Sequence, residues 1–383
     1  MGSERPKVLV FIDHFLPGYK AGGPVRSCAN MIERLKDRAR FLVITSDREY
    51  MEDSPYPDVE RDRWNERDHG AVFYASPASQ TASTLKRSIE EVDPDVVYIN
   101  GIYSYRFSIL PLRILKKERA ATRVVVAPRG MLAPGAMSVK PLKKRLFLTA
   151  ARLMGLFNGV KFHATKEEER DEIHRWIGGS KVQTVPNLPP SVNPGSDPGI
   201  EKKPGALRLV SIARIAPEKN TLGLLGSLES VNEGSIDLDL CGPVYDEKYW
   251  ERCKKVIDRM PDGIRVRHID GVPPDRTASL VRDHHAFILF TKGENFGHAI
   301  MEALLAGRPV IISNRTPWKN VEDKGVGRLV DLEDLASAGN AIREFLDMEA
   351  SAYEVVRGKV RSYAERIHQE YALEENYEKL FFS

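Results

Sequence analysis

The sequence predicts an α/β protein of two doubly wound, Rossmann-like domains that face each other across a cleft. Three observations lead to this prediction. The chain has 383 residues, which is more than one hydrophobic core usually organises. Short apolar runs alternate with amphipathic stretches in both halves of the chain, a pattern typical of parallel sheets covered on both faces. A segment rich in proline and glycine separates the two halves.

Six apolar, β-branched runs predict the strands of the first domain, which we place at residues 1–190. They lie at 7–13, 40–46, 71–76, 95–100, 123–128 and 161–165. Amphipathic stretches such as VRSCANMIERLKD and LKRSIEEV separate most of them, and their spacing of apolar residues predicts helices. The charged segment 47–70 departs from this rhythm, and we expect a surface loop there.

The segment 186–206, PNLPPSVNPGSDPGIEKKPGA, lacks the apolar periodicity of a strand or a helix. This composition predicts a linker at 187–205, followed by a second domain at 206–364. Strand-like runs resume at 207–214, 236–242, 264–270, 285–291 and 309–313. The final segment has the apolar periodicity of a helix.

Composition limits the function classes. Hydrophobic content of 42%, charged content of 29% and a net charge of +3 describe an ordinary soluble protein and disfavour a nucleic-acid binder. The three cysteines, Cys28, Cys241 and Cys253, lack any metal-ligand spacing and indicate buried thiols in a reducing cytoplasm. The apolar run KVLVFID is too short for a signal sequence, and no segment reaches the length of a membrane span.

The most informative stretch is TKGENFGHAIMEALLAGRPVIIS, residues 291–313. It places Glu294 and Glu302 on either side of a predicted helix start near Gly297. Amides at a helix start can bind a phosphate oxygen, whereas the carboxylates can accept hydrogen bonds from hydroxyl groups of a sugar or ribose. Compensation of the helix dipole by Glu294, with Glu302 on the surface, explains the pattern about as well.

Two further segments follow predicted strands. In SIARIAPEKN, Arg214 and Lys219 can neutralise a diphosphate, or they can be ordinary solvent-facing cations. In FLPGYKAGGPVRSC, Gly22 and Gly23 form a loop that enters a helix near Pro24. This loop lacks the G-x-G-x-x-G pattern, which disfavours a nicotinamide enzyme, and a plain tight turn also explains it.

Taken together, these motifs resemble those of the family 4 glycosyltransferases, which have the GT-B fold. The resemblance rests on the E-x7-E element ENFGHAIME with the following ALLAGRPVI, on the R-x4-K pair in ARIAPEKN, and on the glycine loop PGYKAGG. It covers essentially the whole chain. It also implies that the C-terminal helix, at about 365–383, crosses back to the first domain.

The resemblance implies a role for each site residue. Arg214 and Lys219 would bind the donor diphosphate, Glu294 the donor sugar and Glu302 the ribose, while Gly22 and Gly23 would close over the phosphates. Backbone atoms near Val272 would contact the base. The amides of the helix start would assist, and the residues concerned are Asn295, Phe296, Gly297, His298 and Ala299.

One position departs from the family pattern. Many relatives carry a histidine after the fifth strand of the first domain, where this chain reads VVVAPRGMLAPGAM. We expect Arg129 to hold an acidic acceptor or assist the leaving phosphate there. A structural arginine that bonds loop carbonyls is an equal alternative.

The predicted function is retaining, metal-independent transfer of a sugar from a UDP-, GDP- or ADP-linked donor to a saccharide or lipid-linked acceptor. No cofactor is expected. The enzyme would act in the cytoplasm, in the synthesis of polysaccharides of the cell surface. The segment 138–159 places Lys140, Lys143, Lys144 and Arg145 beside several leucines and phenylalanines. This pattern indicates contact with an anionic membrane or, somewhat better, a core helix with a charged rim.

Other functions stay open at this stage. The same fold could belong to a nucleotide-sugar epimerase, or to a phosphorylase with a lysine-bound pyridoxal cofactor. A non-catalytic sugar-binding protein is a third class, but it would normally be exported.

Overall fold

The computed structural model describes residues 5–118, 122–179, 181–191, 199–231, 233–370 and 373–383. It divides into two compact units, Met1–Ser191 with Tyr371–Ser383, and Val192–Glu370. Residues 192–198 of the predicted linker lie outside the described part of the chain, as do 371 and 372 of the predicted C-terminal helix.

The first unit is built on an eight-stranded sheet. Its strands are β1 (Lys7–Ile12), β2 (Arg40–Ser46), β3 (Trp64–Arg67), β4 (Gly70–Ala75), β5 (Val96–Asn100), β6 (Arg123–Ala127), β7 (Lys161–Ala164) and β8 (Lys181–Thr184). Its helices are α1 (Gly23–Leu35), α2 (Ala82–Val92), α3 (Leu110–Glu118), α4 (Pro134–Met137), α5 (Pro141–Leu153) and α6 (Glu167–Ile177), and a π-helical turn, Tyr105–Ile109, precedes α3.

The strand order is β3-β4-β2-β1-β5-β6-β7-β8, and every pairing is parallel except that of β3 with β4. Successive residues of β1 enter different cores, with Leu9 and Phe11 on one face and Val8 and Val10 on the other. Both faces are therefore buried, as the apolar runs predicted. The expected loop at 47–70 is partly wrong, because β3 forms an antiparallel edge strand within it.

The second unit contains a six-stranded sheet that is parallel throughout. Its strands are β9 (Ala206–Ile212), β10 (Ser235–Cys241), β11 (Ile264–Ile269), β12 (Ala286–Leu289), β13 (Val310–Ser313) and β14 (Gly327–Val330). Its helices are α7 (Thr221–Glu229), α8 (Glu247–Ile257), α9 (Pro274–Arg282), α10 (His298–Leu305), α11 (Leu335–Asp347) and α12 (Ala350–Glu370).

Its strand order, β11-β10-β9-β12-β13-β14, is that of a doubly wound nucleotide-binding sheet. The first strand, β9, lies in the middle, and the chain builds outward from it in two directions. Leu209 and Val210 of β9 stand opposite Ala286 and Phe287 of β12. The ends of these two strands therefore lie side by side where the winding direction changes.

The last helix, α13 (Glu374–Phe382), belongs to the first unit. Tyr377, Leu380 and Phe381 are buried in the same core as Val8 and Val10. The Tyr377 hydroxyl donates to the Pro186 carbonyl at 3.0 Å. The ammonium of Lys161 lies 3.1 Å from the carbonyls of Leu380 and Ser383, where a cation favours the negative end of the helix dipole.

All three cysteines are free and buried. Burial raises the pKa of Cys28 and of Cys241 to about 12 and that of Cys253 to about 11. These thiols are therefore protonated and unreactive at neutral pH.

Candidate functional site

The site of the second unit lies at the carboxyl ends of β9 and β12. Ligands of open parallel sheets bind where the winding direction reverses, because the loops there diverge and leave a crevice. The predicted residues of the motifs SIARIAPEKN and ENFGHAIME lie on the two loops that follow these strands.

The loop after β9 carries two cations in different surroundings. A one-turn 3₁₀ helix, Pro217–Lys219, directly precedes α7. The guanidinium of Arg214 lies 2.8 Å from the Glu218 carboxylate and 4.9 Å from the centre of the Tyr245 ring. More than a third of the Arg214 side chain is exposed, so it can exchange Glu218 for an anionic ligand at little cost.

Hydrogen bonds connect this loop to the one after β12. The Lys292 amide donates to the Glu218 carbonyl at 2.9 Å, and the Ser313 hydroxyl donates to the Thr291 carbonyl at 2.5 Å. Thr291 and Ser313 are fully buried. The loop carrying Glu294 is therefore fixed from both neighbouring strands.

Lys219 and Glu294 form an ion pair between the two loops. The side chains retain only 18% and 14% exposure, so water screens the pair weakly. Both of these predicted site residues are thus in one place, but each neutralises part of the charge of the other.

Gly297 determines where α10 begins. Its φ of 81° lies in the left-handed region that favours glycine. A Cβ atom at Gly297 would lie 3.0 Å from Trp318 Nε1 and from Ile300 Cδ1. The Trp318 indole donates to the Phe296 carbonyl at 2.7 Å, so the turn before the helix is tied to the chain beyond β13.

The first turn of α10 presents backbone amides and accessible side chains on one side. Asn295, His298, Ala299 and Glu302 are half-buried, and Glu302 lies one helical turn after His298, on the same face. The Phe296 and His298 rings lie 4.7 Å apart. The opposite face fixes the helix in the core, through Ile300, Met301, Ala303 and Leu304. A helix start of this kind can bind a phosphate oxygen.

Val272 lies at the same edge of the sheet, beyond the end of β11. It is half-buried and follows Gly271, whose φ of 86° turns the chain towards α9. Two strand positions separate β11 from β9. Val272 is therefore placed further along the crevice than Arg214 and Lys219.

The remaining predicted residues belong to the first unit. Gly22, with φ of 78°, is the N-cap of α1, and Gly23 is the first residue of that helix. A Cβ atom at Gly22 would meet no other atom within 4 Å. Its backbone conformation, rather than crowding, therefore favours glycine there.

Arg129 follows β6 and lies in a buried polar network. Its guanidinium donates to Asn100 Oδ1 at 2.7 Å, to the Tyr98 hydroxyl at 2.6 Å and to Asn187 Oδ1. These partners are uncharged side chains rather than the loop carbonyls of the structural alternative. The positive charge of Arg129 is therefore not cancelled by the groups that fix it.

The same edge of the first sheet contains polar groups that the motifs did not identify. The Ser104 hydroxyl donates to Asp13 Oδ1 at 2.5 Å. Burial raises the pKa of Asp13. The position of Asp13 directly after β1 was the signal that could have found it, because strand ends of parallel sheets bear ligand-binding groups. Tyr245 and Trp318 were missed in the second unit, although each follows a strand.

The described residues contain neither a metal-ligand cluster nor a membrane-spanning helix. No three His, Cys, Asp or Glu side chains there lie together as a set that could hold a metal ion. Within the same ranges, no helix is both long and apolar enough to span a bilayer.

Two family models match the chain. The model described as "Glycosyl transferase 4-like domain" matches residues 22–188, and "Glycosyl transferases group 1" matches residues 196–364. The two matches together span most of the sequence. No curated protein matched the chain.

Solved structures show the same fold over nearly the full length. A sucrose-phosphate synthase from Thermosynechococcus elongatus has a TM-score of 0.68 at 14% identity, covering 99% of each chain. Anabaena HepE in complex with UDP and glucose has a TM-score of 0.66 at 14% identity, covering 96% of this chain and 98% of that one. An α,α-trehalose-phosphate synthase from Burkholderia xenovorans, in complex with glucose-6-phosphate, has a TM-score of 0.67 at 10% identity, covering 99% and 100%. The expected fold class is confirmed: the chain has a GT-B fold of two Rossmann-like α/β domains, and each domain matches a glycosyltransferase family model.

Proposed function

We propose that this glycosyltransferase moves a sugar from a nucleoside diphosphate sugar to a hydroxyl group of a saccharide or lipid-linked acceptor, with retention of anomeric configuration and without a metal ion. The observation that carries the proposal is the meeting of Lys219, Glu294 and the start of α10 at the adjoining ends of β9 and β12. This arrangement combines groups that bind phosphate with groups that bind hydroxyls.

The donor diphosphate would lie against the start of α10, with Lys219 and Arg214 beside it. Amides at the helix start and two cations supply the positive charge that a metal ion provides elsewhere. Glu302 would accept hydrogen bonds from the ribose hydroxyls, and backbone atoms near Val272 would contact the base. Gly22 and Gly23 would approach the phosphates from the first unit.

Glu294 would change partners when the donor binds. In the structure it pairs with Lys219, and a donor phosphate would compete for that ammonium. The freed carboxylate could then accept hydrogen bonds from the donor sugar. The ion pair thus holds both side chains in one place before the donor arrives.

In the proposed reaction the bond between the anomeric carbon and the diphosphate oxygen breaks. The acceptor oxygen forms its bond to that carbon on the same face, and its proton passes to the departing phosphate. Charge grows on the diphosphate as the bond breaks, so Lys219 and the amides of α10 stabilise the transition state more than the bound donor. Arg129 would act on an acidic acceptor or on the leaving phosphate.

UDP sugars are the first donors to test. The HepE complexes contain UDP and glucose or UDP-glucose, and an E. coli structure contains UDP-2-fluoro glucose. GDP and ADP sugars complete the screen. For the biological setting we propose cell-surface polysaccharide synthesis in the cytoplasm, at the inner face of the plasma membrane.

The proposal is tested first by thermal shift against UDP-, GDP- and ADP-glucose. A ligand at 100 times its Kd stabilises the folded state by about 2.7 kcal/mol. We expect one of the three nucleotide sugars to raise the melting temperature accordingly. The Lys219→Ala variant should lose this shift, whereas Lys292→Ala, an exposed lysine of the neighbouring loop, should keep it.

Product analysis with the selected donor and a panel of saccharide and lipid-linked acceptors tests the reaction itself. NMR of the product should show the anomeric configuration of the donor, and turnover should be unchanged in EDTA. Inversion of configuration would refute the retaining mechanism, and loss of activity in EDTA would refute metal independence. The absence of a shift with every nucleotide sugar would refute the proposed donor site.

A further inference from the structure

The outward face of α5 in the first unit is unusually apolar. Among the described residues, nine large hydrophobic side chains are exposed, and five of them lie between residues 139 and 154. They are Val139 (59%), Leu142 (81%), Leu146 (72%), Leu153 (83%) and Met154 (70%). Scattered single hydrophobic residues are normal on a surface, but a concentrated group marks an interaction site.

Helical spacing aligns these side chains. Leu142, Leu146 and Leu153 lie at positions i, i+4 and i+11 of α5, so they form a stripe along one side of the helix. Leu148 and Ala151, on the other side, are buried in the core of the first unit. The core therefore fixes one face of α5 and leaves the leucine stripe in solvent, where a core helix with a charged rim would carry only polar side chains.

The charge along α5 itself has one sign. The sequence contains no Asp or Glu between Glu118 and Glu167. Lys140, Lys143, Arg145 and Arg152 are exposed and flank the stripe. Lys144 is different, because its ammonium donates to the Ala136 carbonyl at 2.6 Å and lies 5.3 Å from the centre of the Tyr103 ring.

A groove beside the stripe concentrates three arginines. Its volume is about 500 Å³, and its lining includes Arg145, Arg152, Arg175, Trp176 and Leu153. The guanidinium carbons of Arg145 and Arg175 lie 6.0 and 5.6 Å from the centre of the Trp176 ring. No carboxylate lines this groove, so an anionic group would meet positive charge there.

We propose that this face of α5 docks the first unit on an anionic lipid surface, with the leucine stripe entering the headgroup boundary and a lipid phosphate occupying the arginine groove. A basic amphipathic helix lying in the interface plane has this distribution of charge and apolar surface. A second copy of the chain is a poor occupant, because two faces of the same positive charge would repel each other. The docking does not require sugar transfer, so it stands or fails separately from the proposed reaction.

Vesicle co-sedimentation without nucleotide sugar tests the docking. We expect binding to vesicles of equal parts phosphatidylcholine and phosphatidylglycerol, and little binding to phosphatidylcholine alone. Replacing Arg145 and Arg152 together by Glu should weaken binding by well over tenfold, because each cation near an anionic surface contributes roughly fivefold. Arg252→Glu with Lys255→Glu, on the exposed side of α8, makes the same change in net charge and should bind normally.

The apolar contribution is tested by Leu146→Glu with Leu153→Glu. This double variant should also lose vesicle binding while its melting temperature stays unchanged, because both side chains are exposed. Val355→Glu replaces another exposed apolar residue, on α12, and serves as its control. Donor hydrolysis in solution should be the same in all four variants.

Three results would overturn the proposal. They are equal binding to neutral and anionic vesicles, unchanged binding in both double variants, and a concentration-dependent dimer that Leu146→Glu abolishes. The last result would identify a second copy of the chain as the occupant of this face.

Discussion

Lys219 and Glu294 are 75 residues apart in the chain, yet their charged groups form an ion pair at the ends of two adjacent strands. The structure thus joins the two motifs that the sequence presents separately. Each residue balances the charge of the other in the structure, and we propose that each contacts the donor once a donor binds.

Replacing either residue by Ala should remove most catalysis while the fold survives. Removal of one charge-stabilising group from an active site typically costs about 100- to 1,000-fold, and we expect a loss of at least this size in kcat/KM for Lys219→Ala and Glu294→Ala. Initial rates over a range of donor concentrations, with melting curves of each variant, provide the measurement. Lys292→Ala is the control, because the Lys292 side chain is exposed on the loop that carries Glu294. Near-normal rates in both variants would contradict the donor site.

Gly297→Ala should disturb the start of α10, whereas Gly293→Ala should not. The φ of 81° at Gly297 costs a residue with a Cβ atom about 1–2 kcal/mol, and Trp318 and Ile300 crowd the position. A Cβ atom at Gly293 would meet nothing within 4 Å, and its φ is not in the left-handed region.

Urea unfolding and donor titration measure the two effects of this pair. We expect Gly297→Ala to lower the free energy of unfolding by about 1–2 kcal/mol and to weaken donor binding, because the amides of the first turn move. Equal behaviour of the two variants would show that the backbone at Gly297 has no special role.

The fold followed from the sequence wherever a strand is buried on both faces. Three strands were missed, β3, β8 and β14, and all three lie at sheet edges. Their sequences, WNER, KVQT and GRLV, lack a continuous apolar run, because an edge strand buries only part of its surface. Periodicity alone could not distinguish them from loops.

The site followed from the sequence only as separate motifs. Strand ends and the glycine before α10 indicated where ligands bind, but the Lys219–Glu294 pair depends on β9 and β12 being neighbours in the sheet. The contact of Trp318 with the Phe296 carbonyl depends in the same way on the position of β13. Contacts between distant segments carry no local signal in a single sequence.

Arg129 should contribute to activity through its charge. Its partners Tyr98, Asn100 and Asn187 are uncharged, so Arg129→Lys keeps the cation while losing the planar fork. Arg129→Met loses both. We expect both variants to have a lower melting temperature than the wild type. The loss of turnover should be at least tenfold larger in Arg129→Met than in Arg129→Lys. Kinetics with an acidic and a neutral acceptor, normalised to folded protein, would measure this. Equal losses of turnover would instead assign Arg129 a purely structural role.

His163 should make the first unit sensitive to acid. Burial lowers the pKa of His163 from 6.5 to about 3, and the nearby positive charge of Arg129 acts in the same direction. Its Nδ1 lies 2.8 Å from the Tyr98 hydroxyl and its Nε2 lies 2.8 Å from the Val185 carbonyl. Since Tyr98 accepts from Arg129, the consistent arrangement has Tyr98 donating to Nδ1 and a neutral imidazole donating to Val185.

Between pH 6.5 and pH 3 the unfolded chain binds a proton at His163 that the folded chain does not bind. Protonation therefore favours unfolding. The folded state has its full stability above pH 6.5 and loses stability as the pH falls from 6.5 towards 3. At pH 5 the loss from this group is about 2 kcal/mol. Urea unfolding at pH 7 and at pH 5 gives the free energy of unfolding that each protein loses on acidification. We expect the wild type to lose about 2 kcal/mol more than His163→Gln. His174→Gln, at an exposed position of α6, should lose as much as the wild type. An equal loss in His163→Gln would mean that His163 does not cause the acid sensitivity.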